Sequence, residues 1–140
     1  METVQIIKAT IVSYILRSDN IIEIVDNEDW NEADTLDIVK RDTEKLKKLI
    51  DNKQDKALYI EVADKHTSKD ILDFYQNIEL GEVARALVLN SYGAKIMGNL
   101  YFKLFGGKPN EMGRSVPIKL FTKKEAGIKW LLEQLEENKK

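Results

Sequence analysis

Residues 83–135 run as an apolar strand, an aromatic-rich helix, a second short strand and a final amphipathic helix: VARALVLNS, YGAKIMGNLYFKLFGG, VPIKLF and TKKEAGIKWLLEQL. Short apolar runs bounded by polar turns read as buried strands, and apolar spacing of three and four reads as helix. Strands and helices in strict alternation predict an α/β domain.

The upstream half extends the same pattern. Residues 4–16 (VQIIKATIVSYIL) and 20–25 (NIIEIV) are β-branched runs separated by a short polar cluster, which predicts a β-hairpin. A helix of about 32–51 follows, with Leu36, Val39, Leu46 and Ile50 on one face. Asn31 is its expected cap, and Glu32 and Asp34 suit the positive end of the helix dipole. ALYIEV at 57–62 reads as the third strand, 63–68 as a polar loop and 69–77 as a short helix. The helix 92–105 ends at Gly106-Gly107, residues suited to a left-handed stop. Pro117, early in the strand 116–121, points to a sheet edge or a strand end. Thr122 and Glu125 have capping-box spacing before Ile128, Leu131, Leu132 and Leu135. The expected order is β-β-α-β-α-β-α-β-α, a mixed five-stranded sheet with about four helices in a single domain spanning residues 1–140.

Composition excludes several classes. Apolar residues make up 43% and charged residues 33% of the 140, a globular balance. The absence of cysteine removes disulfides, thiol nucleophiles and thiolate metal sites. The N-terminal segment lacks the pattern of a secretory signal, so a cytoplasmic location is expected. The net charge of -2 conceals an asymmetry. Residues 19–37 carry acids and no base, whereas residues 95–124 carry seven bases against the single acid Glu111. Such a basic segment is either a solvated surface or a patch for an anionic partner. It falls short of a nucleic-acid stripe, and nucleic acid is not an expected partner.

The element order, together with ARALVL, YGAKIMGNLYFKLF, VPIKLF and the T-x-x-E-A-x-x-W-L helix, resembles the STAS domain family. This is the fold of anti-sigma-factor antagonists and of sulfate-transporter tails, and the likeness is strongest to the uncharacterised STAS/SEC14-like branch. The resemblance implies a non-enzymatic interaction or regulatory module in partner-switching signalling. A serine after the third strand is phosphorylated by a kinase-type partner in regulatory members. The matching stretch here is Asp64-Lys65-His66-Thr67-Ser68, in place of the family's Asp-Ser-Ser-Gly. The resemblance therefore marks Asp64, His66, Thr67 and Ser68 as a partner loop with a phospho-acceptor. The SEC14-like side implies instead a lipid or small hydrophobic ligand.

The residues themselves weigh differently. Thr67 and Ser68 serve equally as helix caps. His66 is the only histidine, and three neighbours in one tight loop do not assemble a catalytic relay. No cofactor or metal motif is present: the acids of 26–34 lack the glycine of a calcium loop, and no P-loop follows the glycines. The helix 92–105 stands out. Lys95, Asn99 and Lys103 form one narrow polar stripe, while apolar residues cover most of the remaining circumference. A helix on one side of a sheet needs only one apolar face. Tyr92, Lys95, Met97, Tyr101, Phe102, Lys103 and Phe105 are thus candidates for a ligand pocket, a peripheral membrane contact or a homodimer surface. The adjoining lysines favour an anionic hydrophobic ligand or membrane.

Overall fold

A computed structural model describes residues 2–50 and 54–139, apart from the side chains of Leu104 and Phe105. Its elements are β1 (Thr3–Lys8), β2 (Val12–Arg17), β3 (Ile21–Asp26), α1 (Leu36–Ile50), β4 (Ala57–Glu61), α2 (Lys69–Asn77), β5 (Arg85–Val88), α3 (Tyr92–Phe105), β6 (Ile118–Phe121) and α4 (Lys124–Asn138). The strands form one sheet in the order β1-β2-β3-β4-β5-β6. β1, β2 and β3 pair antiparallel, and β3 to β6 pair parallel.

Each helical crossover advances the sheet by one strand in the same direction. Right-handed connections then place α1, α2 and α3 on one face. Side-chain alternation confirms the layering: Ile22, Leu58 and Leu87 pack with those helices, whereas Ile21, Tyr59 and Ala86 pack beneath Leu131 and Leu135 of α4. The central strands are apolar on both faces because both are covered. β6 lies at the sheet edge, and Pro117 immediately precedes it, in keeping with both placements the proline allows.

The sheet has six strands, not five. The segment 4–16 is two strands folded on each other through Ala9–Ile11, with the Ala9 amide donating to the Val12 carbonyl at 2.9 Å. No glycine, proline or asparagine marks this turn, because distant side chains hold it. The buried Asp42 carboxylate accepts from the amides of Thr10 (3.0 Å) and Ile11 (2.7 Å). Asn27 Nδ2 donates to the carbonyls of Ala9 and Thr10 from the other side.

Two caps also differ from expectation. α1 begins at Leu36, and Thr35 rather than Asn31 accepts from the first-turn amide of Ile38 at 3.3 Å. Asp34 is consequently outside the helix and free to bind Lys65 and Trp30. α4 begins one residue later than the capping box requires, with Lys123 at the N-cap and no side-chain cap bond. Lys124 at its start reaches Glu23 at 2.9 Å and lies over the Tyr59 ring. Asp51, at the expected end of α1, lies outside the described residues.

Asp42→Ala is expected to lower stability by about 2–4 kcal/mol, since it leaves two amides of the β1–β2 turn without their charged acceptor. Urea denaturation measures the loss, and amide exchange at Thr10 and Ile11 should accelerate. An unchanged midpoint would mean that Asn27 alone holds the turn.

Candidate functional site

α3 has two unlike faces. Its inner face rests on the sheet through Ala94 and Tyr101, both buried, and through Gly98. A Cβ at Gly98 would collide with the Leu89 side chain, so glycine permits the close seating of helix on strand. The Ser91 hydroxyl caps the start by accepting from the Ala94 amide at 3.1 Å. At the other end the Gly106 amide donates to the Phe102 carbonyl, and Gly107 has φ +79, as the glycine pair predicts. The outer face exposes Tyr92 (81%), Ile96 (53%), Phe102 (43%) and Leu100 (38%). Lys95 and Lys103 are exposed among them, and no acid occurs in the helix. A shallow groove beside Lys95 and Asn99 continues to Thr122 and Lys123, extending the basic surface to the start of α4.

Beneath α3, between the sheet and the three helices on its face, lies a cavity of about 170 Å³. Its walls include Ile24, Leu58, Ile60, Leu72, Leu87 and Met97. Five polar side chains interrupt them here: Tyr14, Thr43, Tyr75, Tyr101 and Arg85. Arg85 is anchored. Its Nε donates to Glu82 at 2.7 Å, and its Nη1 donates to the Tyr75 carbonyl at 3.1 Å and to the Tyr101 hydroxyl at 3.3 Å. Glu82 is fully buried and also accepts from Arg114 at 2.9 Å. Arg114 in turn grips Glu79 with two bonds of 2.8 and 2.6 Å. A chain of alternating charges thus closes one end of the cavity.

At the other end, Asp26, Asp34, Glu61, Lys65 and Thr67 line the cavity at and beyond the carboxyl ends of β3 and β4. In parallel sheets this is the side where ligands bind. Lys65 bridges Asp34 at 2.8 Å and Asp26 at 3.6 Å, while the Trp30 indole N–H holds Asp34 at 3.0 Å. Burial raises the Asp26 carboxyl above its usual range, with Lys65 opposing. Burial likewise pushes the Tyr14 and Tyr75 hydroxyls up, so both are neutral phenols.

The sequence candidates divide accordingly. Thr67 lines the cavity, whereas Asp64 and His66 are exposed outside it, Asp64 packing against the Gly93 turn of α3. Ser68 occupies the α2 N-cap, but its hydroxyl donates to Asp70 rather than capping an amide. Met97 and Tyr101 face inward; Tyr92, Lys95, Phe102 and Lys103 face outward. The Phe105 side chain lies outside the described residues. The residues missed were Tyr14, Tyr75, Arg85 and Lys65. A charged residue inside the otherwise apolar ARALVL strand was the one signal that pointed at them.

Comparison with known family models, with curated proteins and with solved structures finds no match. Among the described residues, no group of three or more His, Asp or Glu side chains is placed to hold a metal ion, and no helix is long and apolar enough to cross a membrane.

The grip of Arg114 lowers the Glu79 carboxyl from 4.5 to about 2. Its stabilising contribution is therefore complete above the unfolded value and is lost as pH falls from 4.5 toward 2. Glu79→Gln should flatten the stability profile across that interval, as read by denaturation at successive pH values. A variant profile parallel to the parent would remove Glu79 as the cause.

Proposed function

We propose that this chain is a non-enzymatic binding module that docks on an anionic membrane surface through the outer face of α3. The observation that carries the reading is the exposed row of Tyr92, Ile96, Leu100 and Phe102 flanked by Lys95 and Lys103. The outward positions of α1 are almost entirely charged, among them Asp37, Lys40, Arg41, Glu44 and Lys48. A helix that combines apolar side chains with lysines and no acid fits the boundary between headgroups and acyl chains. Lys123, across the groove from Lys95, adds charge of the same sign. Each basic residue near an anionic surface contributes about 1 kcal/mol, and the attraction fades within a Debye length. The SEC14-like resemblance is in keeping with this role.

The partner-switching role that the STAS resemblance implies would act at Thr67 or Ser68. The Ser68 hydroxyl is engaged with Asp70 and Thr67 faces the cavity, so the geometry supports α3 docking better than that switch.

Flotation with vesicles of phosphatidylcholine containing phosphatidylglycerol tests the proposal. The protein should float with anionic vesicles at low salt, stay behind with pure phosphatidylcholine, and lose binding in Lys95→Glu/Lys103→Glu and in Ile96→Glu. Failure to float with anionic vesicles at low salt would overturn it. So would a dimer that Ile96→Glu dissociates, which would assign the face to a second copy.

A further inference from the structure

The cavity beneath α3 differs from a packing defect in one respect. Tyr14 and Tyr75 both line the cavity, neither hydroxyl hydrogen-bonds to any described residue, and neither oxygen is sealed off from a solvent-sized molecule. A hydroxyl with no protein acceptor can donate to a bound molecule without giving up a bond inside the protein. Here two converge on one space: each lies within electrostatic reach of the other and of Asp42. Both are held there firmly. Tyr14 belongs to the core under α1, and Tyr75 packs against Phe74 at 5.9 Å between ring centres.

The remaining groups define what could satisfy them. The Asp42 carboxylate is engaged by the Thr10 and Ile11 amides. Arg85 is neutralised by Glu82. The far end carries Asp26, Asp34 and Glu61 against the single ammonium of Lys65. An anion would meet net negative charge, and a cation would have to displace Lys65 from Asp26 or Asp34, the turn amides from Asp42, or the Tyr59 hydroxyl from Glu61. An uncharged molecule meets neither obstacle. The walls are otherwise aliphatic. A cavity of about 150 Å³ elsewhere accepts benzene, so this one has room for about ten non-hydrogen atoms.

We propose that the cavity is a binding site for a small, uncharged, mainly apolar molecule bearing one hydrogen-bond acceptor, such as an aryl ketone or ester, with the Tyr14 and Tyr75 hydroxyls as its donors. The site is separate from the outer face of α3 and does not depend on docking there. Met97 and Gly98 belong to the wall, so occupancy is felt by the same helix that carries the exposed row.

Acetophenone is a suitable probe, with ethylbenzene as its acceptor-free counterpart and benzoate and benzylammonium as charged ones. Methyl NMR titrations of the full chain should show saturable shifts at Met97 and Leu72 with acetophenone. Tyr14→Phe and Tyr75→Phe should each weaken acetophenone about fivefold, the weight of one hydrogen bond, while leaving ethylbenzene unchanged. Both variants remove only a hydroxyl without a partner among the described residues and should melt close to the parent temperature. Absence of saturable shifts at millimolar acetophenone would overturn the proposal. Equal acetophenone affinity in parent and both variants, or tighter binding of benzoate or benzylammonium, would also overturn it.

Discussion

The buried pair of Glu82 and Arg85 determines how the helices sit on the sheet. Arg85 enters β5 on the face covered by helices, where an unpaired guanidinium would be very costly. Glu82, fully buried, takes its Nε, and the remaining bonds go to the Tyr75 carbonyl of α2 and the Tyr101 hydroxyl of α3. One cation therefore ties together three elements that also pack through Leu72, Leu87, Ala94 and Tyr101. Arg114 extends the tie to the loop before β6 through Glu82 and Glu79. With α2 and α3 fixed at this end, the side chains above Leu58 and Leu87 cannot collapse inward. The cavity is the consequence: its walls are held apart by ionic and hydrogen-bonded contacts at both ends.

The same geometry gives α3 its divided character. Ala94, Gly98 and Tyr101 seat it on the sheet along a narrow line. Among the described residues, Tyr92, Ile96, Leu100 and Phe102 on its other side remain exposed. One face of α3 thus forms part of the cavity wall, and the opposite face presents Ile96 and Leu100 to the exterior.

Much of this was legible in the residues. The bounds of α3 followed from the apolar strand before it and the glycine pair after it, both local signals. Its apolar excess followed from helical geometry alone. The β1–β2 turn was not legible, because Ala9-Thr10-Ile11 has no turn residue of its own and is held by Asp42, 31 positions away from Ile11. The Thr122 capping box had the right spacing, yet the helix starts at Lys124, whose ammonium is drawn to Glu23 on a strand a hundred residues earlier. The convergence of Tyr14, Tyr75 and Arg85 was equally hidden: each comes from a different element, and their meeting depends on strand order. Tertiary contacts decided what local pattern could not.

The account rests on an open space beneath α3 that is walled by aliphatic side chains and stays open in solution. Methionine-methyl NMR under xenon pressure reads this directly, because xenon enters dry apolar cavities of this size. Met97 lines the space and Met112 is 73% exposed, so the protein contains its own reference. The account predicts a saturable shift of the Met97 methyl with little change at Met112. Equal, non-saturating drift of both methyls would contradict it and would mean that the helices close over the sheet in solution.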